Sequence, residues 1–358
     1  MRHMLQHMRR LGRPALFRAS SFALVSCVRR RRRGYRSRIQ TQLLIVAALT
    51  MMLVASGAAA APGAKSGSAA FPGRNGEIVF AVANRSRYYP DLYLMHSTGT
   101  SLRRITSRGA FDPAWSPDGK WIAFVSNRSR PRNENAAEIY VMRANGTRLR
   151  RLTHNRFVDF RPAWAPDGRR IVFQSEGASG SGIAVINADG TGFRRLTHDG
   201  EAVPAWSPDG KTIAFSLGTS RGGDTATYGV WLMNADGSNQ RQLTFPPQHP
   251  DGGSLNGADS MPEWSPNGQQ IAFTRRYRGR EDIYTIRLDG TGRRRLTNEA
   301  GQHFAPTWSP DGRRIVFVTG LYQRRVVDVI NADGTGRKRL RTGPGGYISP
   351  DWQPLPRR

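Results

Sequence analysis

The side chains with the greatest capacity for chemistry stand shortly before a series of spaced tryptophans. Asp159, Glu201, Asp259, His303 and Tyr347 each precede a tryptophan by five residues, and Asp112 precedes Trp115 by three. If these positions superpose, they ring one opening, where carboxylates and an imidazole could hold a hard cation or a cationic group of a ligand. The alternative is that the loop carboxylates accept backbone hydrogen bonds and shape the turn into the next strand.

Other signals of catalysis are few. Four histidines outside the N-terminal region fall in predicted loops: His154, His198, His249 and His303. His154 and His198 occupy one repeat position, and equivalent positions in different repeats are expected to lie far apart. The sequence has no nucleophile elbow, phosphate-binding loop or dinucleotide fingerprint. We therefore expect no catalytic residue and no cofactor, apart from a divalent cation at the predicted opening, which is an alternative to test.

The tryptophans belong to an internal repeat. The phrase Trp-[Ser/Ala]-Pro-[Asp/Asn]-Gly occurs five times, and Trp352-Gln353-Pro354 is an incomplete sixth copy. Successive intervals are 49, 42, 58, 44 and 44 residues. A period of roughly 40–45 residues is the size of a four-stranded propeller blade. The complete copies begin at Trp115, Trp164, Trp206, Trp264 and Trp308.

Residues 113–153 indicate how one repeat forms a sheet. The segments PAWSP, WIAFVS, EIYVMRA and RLRRLT are predicted strands, joined by Asp-Gly and Asn-Gly turns and one variable loop. Residues 76–106 contain the last three strands without the first, and the C-terminal SPDWQPLP is a first strand without successors. The sequence therefore predicts an all-β fold, a six-bladed β-propeller closed by a C-terminal strand, with each tryptophan between neighbouring sheets.

The units PAWSPDGKWIAFVS and IYVMRANGTRLRRLT resemble the WD40-like repeats of the TolB-type β-propellers, over roughly residues 76–358. The resemblance implies a propeller and does not select one function. TolB also has an N-terminal α/β domain, and we expect no counterpart of it here, so the resemblance is to the propeller part only. Some propellers with similar repeats are polysaccharide lyases that hold a metal with loop histidines. A metal-assisted carbohydrate-active enzyme, lyase-like, at the channel mouth is therefore the alternative function.

Residues 1–61 are predicted to be a leader. The first 42 residues contain twelve Arg and no acid, and the segment from Leu43 to Pro62 is uncharged and largely apolar. A basic region, an apolar run and the small residues 58–61 are typical of a signal peptide, and the alternative is an uncleaved membrane anchor. Both place the remainder outside the cytoplasm, periplasmic or secreted. We expect residues 62–75 to be a linker and residues 76–358 to be the propeller.

Composition limits the partners. The net charge is +28, and removing the twelve arginines of the leader leaves +16. This charge suggests an anionic partner, such as a cell-wall polymer, although paired arginines on fourth strands also discourage edge-to-edge pairing. Export argues against nucleic acid, so we expect no nucleic-acid partner. The only cysteine, Cys27, precedes the apolar run, so the exported part has no thiol and no disulfide.

The two sides of the predicted sheets differ in regularity. One side, the turn face, carries the uniform Asp-Gly and Asn-Gly turns. The other side, the variable face, carries irregular loops such as Asn127–Glu138, Leu217–Gly229 and Thr244–Ser260. Function usually resides in variable loops held by a rigid frame. We therefore expect an exported, monomeric, non-catalytic scaffold that binds a protein or cell-envelope ligand through the variable face, and reaches a membrane only through an uncleaved N-terminal segment.

Overall fold

A computed structural model of the protein describes residues 71–83, 89–129, 137–177, 180–198, 200–219, 227–247, 257–321, 324–341 and 346–356. These residues belong to one compact unit, Thr50–Arg358. The predicted leader, the linker up to residue 70 and His249 lie outside the described residues. Within the described ranges, no helix has the length and apolar character needed to cross a membrane.

The described residues form β-strands and their connections, which confirms the all-β prediction. The strands make six antiparallel groups of four, units 1–6, which follow the sequence repeats. Unit 1 comprises β24 (Gly346–Leu355), β1 (Arg74–Ala83), β2 (Asp91–Met95) and β3 (Arg103–Arg104). Unit 2 comprises β4 (Phe111–Trp115), β5 (Trp121–Ser126), β6 (Glu138–Arg143) and β7 (Arg150–Arg151). Unit 3 comprises β8 (Val158–Trp164), β9 (Arg170–Gly177), β10 (Gly180–Asn187) and β11 (Arg194–Arg195).

The second half of the chain repeats this order. Unit 4 comprises β12 (Glu201–Trp206), β13 (Thr212–Thr219), β14 (Thr227–Asn234) and β15 (Arg241–Gln242). Unit 5 comprises β16 (Ala258–Trp264), β17 (Gln270–Tyr277), β18 (Arg280–Arg287) and β19 (Arg294–Arg295). Unit 6 comprises β20 (His303–Trp308), β21 (Arg314–Thr319), β22 (Val326–Asn331) and β23 (Lys338–Arg341). One parallel pair, Tyr228 opposite Ala258, links units 4 and 5.

The repeated phrase builds the turn between the first and second strands of units 2–6. In unit 2, the N–H of Gly119 donates to the carbonyl oxygen of Ser116 at 2.9 Å, and Gly119 has a φ of 67°. The Asp118 carboxylate accepts from Ser116 Oγ at 2.6 Å and from the N–H of Lys120 at 3.0 Å. Ser116 Oγ accepts in turn from the N–H of Trp121. The phrase therefore specifies its turn through contacts within six residues.

The repeated tryptophans pack between consecutive units, as predicted. Trp115 is buried against β1 and β2 residues of unit 1, including Val79 and Leu92. The indole N–H of Trp164 donates to the carbonyl oxygen of Ala114 in unit 2 at 3.2 Å. A fully buried indole removes roughly 150–250 Å² from water, so these side chains stabilise the contact between units.

The C-terminal strand completes unit 1, which confirms the predicted pairing. β24 runs antiparallel to β1, with Trp352 opposite Ile78. Trp352 also joins the buried cluster of unit 6 residues Val316 and Val329. The two ends of the described chain therefore lie in one sheet, and that sheet contacts unit 6.

Contacts between units follow two continuous series. Among first strands, β4 contacts β8, β8 contacts β12, β12 contacts β16, β16 contacts β20, β20 contacts β24, and β24 contacts β4. On the turn face, the glycine of each second tight turn lies beside a carbonyl group of the preceding unit. The six pairs are Gly99 with Leu340, Gly146 with Ile105, Gly190 with Leu152, Gly237 with Leu196, Gly290 with Leu243, and Gly334 with Leu296.

The paired arginines lie on fourth strands, as predicted, and they also join the units. The Arg150 guanidinium donates to the carbonyl oxygen of Ala188 in unit 3, and that of Arg194 donates to the carbonyl oxygen of Asp236 in unit 4. The second arginine of a pair turns back to its own unit, since Arg151 pairs with the buried Glu138. Part of the basic excess is therefore used inside the fold.

Candidate functional site

The predicted site residues that precede a tryptophan by five positions occupy equivalent places in the sheets. Each lies at the variable-face end of a first strand, opposite a residue near the end of the second strand. The pairs are Asp159 with Ser175, Glu201 with Leu217, Asp259 with Arg275, His303 with Thr319, and Tyr347 with Val82. The repeats therefore superpose in backbone register, which the sequence argument required.

Asp159 is buried between units 2 and 3. Its carboxylate accepts from Ser175 Oγ at 2.7 Å and from Asn155 Nδ2 at 2.9 Å. Burial raises the pKa of Asp159, and hydrogen bonds led by that of Ser175 oppose the shift. In the neighbouring unit, burial raises the pKa of Glu138 to about 7 despite its ion pair with Arg151. Both carboxylates are held inside the fold.

Asp259 forms a buried ion pair with Arg275. The side chains are 0% and 5% exposed, and Arg275 Nε and Nη2 each lie 2.6 Å from one carboxylate oxygen. The guanidinium also lies over the rings of Phe273 and Tyr284, 5.6 and 5.3 Å from their centroids. This bidentate geometry satisfies both oxygens of Asp259 within unit 5.

His303 is fully buried between units 5 and 6. Its Nδ1 lies 3.4 Å from Asp282 Oδ1, and its ring meets the edge of Phe317. Asp282 also accepts from Arg295 and Thr297 at 2.8 and 2.9 Å. Burial opposes ionisation of Asp282, but the nearby His303 side chain, the hydrogen bond from Thr297 and the Arg295 charge lower its pKa.

The remaining predicted residues have separate surroundings. Asp112 is buried and accepts from Ser349 Oγ at 2.9 Å. The buried Tyr347 ring lies 5.5 Å from Phe80, and the Glu201 side chain lies outside the described atoms. The described side chains of the predicted set therefore have different partners, some within one unit and some in a neighbouring unit. Within the described ranges, no three His, Cys, Asp or Glu residues are grouped to hold a metal ion.

A different set of residues meets where the first strands approach one another. The residue three positions before each repeated tryptophan has a left-handed backbone, with φ between 47° and 55°, at an irregularity in the strand pairing. The set consists of Asp112, Arg161, Val203, Met261, Ala305 and Ser349. Only Asp112 among them was expected at the site. The sequence signal was their common offset from the tryptophans, which residue type alone does not distinguish.

These six residues divide into an apolar half and a polar half. Val203, Met261 and Ala305, from units 4, 5 and 6, belong to one buried cluster. On the other side, Asp112 accepts from Ser349, and Arg161 donates to Gln174 Oε1 at 3.1 Å. Burial lowers the pKa of Arg161, and the nearby Asp112 carboxylate opposes this shift. The set therefore combines a buried apolar cluster with hydrogen-bonded polar side chains.

Glu263 is the least satisfied carboxylate of this region. It is 0% exposed, and neither carboxylate oxygen has a hydrogen-bond partner among the described residues. Burial, and then the charge of Asp351, raise the pKa of Glu263 well above its ordinary value. Asp351 itself accepts from the N–H of Trp115 at 2.6 Å. The arrangement favours a protonated Glu263.

Replacing Glu263 with Gln is therefore expected to raise the free energy of unfolding at neutral pH by about 1–3 kcal/mol. The folded chain keeps a proton on Glu263 that the unfolded chain loses above the ordinary value of 4.5. The contribution of Glu263 to the free energy of unfolding of the unmodified protein therefore has its full value below pH 4.5, and it declines as the pH rises towards the folded-state pKa of Glu263. Urea unfolding at about pH 4 and about pH 8 should show a growing advantage of the Gln variant.

The exposed Glu176 provides the control, because Glu176→Gln removes a carboxylate that is not buried. Its unfolding free energy should follow the unmodified protein at both pH values. A Glu263→Gln variant whose advantage does not change with pH would contradict the assignment of a buried protonated carboxyl.

Two grooves lie between neighbouring units on the turn face. One, of about 630 Å³, separates units 2 and 3 and has Trp121 and Trp164 in its walls. Its rim carries Asp118, Asp167 and Arg150. The second, of about 520 Å³, occupies the equivalent place between units 5 and 6. The grooves follow the repeat, so they are part of the regular frame.

The comparisons with known proteins agree with this fold. The sequence matches the family model described as TolB beta propeller domain over residues 130–251 and again over 248–356. No curated protein sequence is significantly similar to the chain.

Solved structures show the same architecture at low identity. TolB from Acinetobacter baumannii is 23% identical, with a TM-score of 0.64 over 78% of this chain and 67% of that one. A putative TolB from Agrobacterium tumefaciens is 22% identical, with a TM-score of 0.57 over 76% and 91%. An oligogalacturonate lyase in complex with manganese is 14% identical, with a TM-score of 0.52 over 78% of each chain. Because the family model covers more than half of the sequence, the chain belongs to the TolB β-propeller domain family.

Proposed function

We propose that the chain is a closed six-bladed β-propeller that serves as an exported, non-catalytic binding scaffold. Ring closure is supported by the two series of contacts between units, which both return from unit 6 to unit 1. In the first series β20 contacts β24 and β24 contacts β4. In the second, Gly99 of unit 1 lies beside Leu340 of unit 6. Closure also gives every sheet two neighbours and leaves no large open face.

The difference between the two faces carries the proposal. The turns from first to second strand all have five residues, as in 116–120 and 309–313. Connections on the variable face range from the two residues 278–279 to the fifteen residues 243–257. A uniform set of turns serves the frame, whereas loops of unequal length can recognise a partner. The proposed binding surface is therefore the variable face.

The proposed ligand is a protein or a cell-envelope component. TolB-like propellers are extracytoplasmic, and the predicted leader (residues 1–61) and linker (62–75) before the propeller (76–358) would deliver this one to the same side of the membrane. The proposed site residues lie at the ends of the first strands, next to the loops of the variable face. They are Asp112, Asp159, Glu201, Asp259, His303 and Tyr347. The likeness to the lyase concerns the fold alone, so catalysis is not part of the proposal.

Photo-cross-linking at one residue on each face tests the proposed binding surface. Phe245 is 68% exposed in a loop of the variable face, and Phe193 is 44% exposed beside a tight turn of the turn face. A photoreactive phenylalanine analogue at position 245 is expected to give discrete adducts in cells that produce the protein. The same analogue at position 193 is the matched control. Adducts from position 193 in the absence of adducts from position 245 would contradict the proposal.

A further inference from the structure

An arginine-rich hairpin projects from unit 5 on the variable face. β17 and β18 are joined by Arg278 and Gly279, whose φ angles are 50° and 75°. Positive φ at both central residues is typical of the tight I′ turn, which matches the twist of the strands and holds the hairpin rigid. Arg276 precedes this turn and Arg280 follows it, so three guanidinium groups lie within five residues. The Arg278 guanidinium lies over the Tyr277 ring, 5.3 Å from its centroid.

Unit 6 brings Arg325 close to this hairpin, and Arg324 precedes Arg325 in the chain. Gln302 connects the units, because it forms a parallel bridge with Glu281 and its side chain donates to the carbonyl oxygen of Gly279 at 2.6 Å. Arg324 and Arg325 follow in the connection between β21 and β22. Glu281 lies close enough to Arg276 and Arg325 that both guanidinium charges oppose the rise that burial imposes on its pKa. We call Arg276, Arg278, Arg280, Arg324 and Arg325 the arginine patch.

The acidic groups around the patch are largely engaged. Asp282 is buried and paired with Arg295, and Glu299 is paired with Arg337. Glu281 is half-buried opposite Arg276 in the sheet. Arg278, Arg280 and Arg324 are exposed, and no ion pair is described for Arg278 or Arg324. Arg280 donates to the carbonyl oxygens of Asn298 and Glu299 and lies 3.9 Å from Asp282. The patch therefore presents a local excess of positive charge to solvent.

The aromatic rings beside the patch are covered. Arg278 lies over Tyr277, and Arg325 lies over Phe304 at 4.9 Å from the ring centroid. Proteins that bind single-stranded nucleic acid offer free aromatic faces on which bases stack, whereas this surface offers guanidinium forks. Such forks match carboxylate groups in a bidentate manner and remain charged at every physiological pH.

We propose that the arginine patch binds an acidic polysaccharide, with its guanidinium groups contacting successive carboxylates of the polymer. This inference rests on the proposed function, because it names a ligand class for the variable face. Arg278 and Arg280 lie on the rigid hairpin, and Arg324 lies on a connection of unit 6. Several exposed arginines of this kind suit a ligand with regularly repeated anionic groups. The affinity is expected to fall as salt concentration rises, since exposed charge pairs are screened.

The test is a titration of the full chain with alginate oligosaccharides, with uncharged dextran as the reference polymer. Simultaneous Arg278→Gln, Arg280→Gln and Arg324→Gln changes are expected to weaken alginate binding about tenfold and to reduce its salt dependence. The matched control removes three exposed arginines from the turn face, at Arg148, Arg169 and Arg293. This control should keep its affinity for alginate to within about threefold, because removing three distant charges weakens only the long-range attraction.

Three outcomes would overturn the inference. One is equal loss in the patch and control variants, which would indicate non-specific attraction by net charge. Another is the absence of alginate binding by the unmodified protein. The third is tighter binding to oligo-dT that is lost in the patch variant, which would assign the patch to nucleic acid. In each of these cases adducts at position 245 would still support the proposed function, so the two failures are distinguishable.

Discussion

Removal of residues 346–358 is expected to abolish cooperative folding at room temperature. The deletion takes away β24, which supplies the first strand of unit 1 and the buried Tyr347, Ile348 and Trp352. Loss of one large buried side chain costs about 2–5 kcal/mol, and domains of this kind have about 5–15 kcal/mol in total. The deletion also leaves β1 as an edge strand and removes a strand of unit 1 that β4 contacts. Thermal unfolding followed by circular dichroism should show no sharp transition.

Two variants complete this experiment. A chain ending at Pro356 retains β24 and should unfold at the temperature of the full chain. Trp352→Ala keeps the strand but removes the indole between units 1 and 6, and should lower the free energy of unfolding by about 3–5 kcal/mol. A truncated chain with an unchanged melting curve would contradict the role of β24 in unit 1.

The second large effect is expected from Asp259→Ala. The Arg275 side chain is only 5% exposed. The substitution removes the carboxylate that accepts hydrogen bonds from its Nε and Nη2, and so leaves a buried guanidinium without its partner. An uncompensated buried charge costs about 3–5 kcal/mol, so urea unfolding should lose that much stability. If the pair instead served an exposed ligand site, stability would change little and only binding would suffer.

Matched variants separate the charge effect from general damage. Replacing the pair by Asp259→Leu and Arg275→Met together removes both charges and should restore most of the loss, because buried ion pairs are often replaceable by apolar residues. Arg103→Ala breaks the exposed pair with Glu77, whose side chains are 48% and 24% exposed, and should cost at most about 1 kcal/mol. A double variant no more stable than Asp259→Ala would contradict this explanation.

Local interactions explain why so much of the fold could be predicted. The Ser116–Trp121 turn closes on itself through short side-chain contacts, so its repetition marks the start of units 2–6. The pairing of β24 with β1 was also predictable, because an incomplete first repeat and an isolated last strand complement each other. These features depend on nearby residues or on counting strands.

The surroundings of the site could not be predicted because they are set by contacts between repeats. Asp159 and Asp259 precede their tryptophans in the same way, yet the first accepts from Ser175 and the second pairs with Arg275. The left-handed residues three positions before the tryptophans include Val203, a residue type that seldom adopts positive φ. These residues stand at irregularities in the pairing of the first and second strands, which the residue types of a single repeat do not reveal.

The central claim is that both ends of the propeller lie in one sheet. Arg74 and Leu355 are directly opposite each other in β1 and β24. The Cα atoms of such a pair are about 4.5–5.5 Å apart, a distance that suits a disulfide. In a chain carrying Cys27→Ser, the changes Arg74→Cys and Leu355→Cys should yield a disulfide on mild oxidation, detected by mass spectrometry of the linked peptides. The control combines Arg74→Cys with Thr191→Cys, in an exposed turn of unit 3. Efficient linkage in the first pair alone is the predicted result, and linkage no greater than in the control would contradict the account.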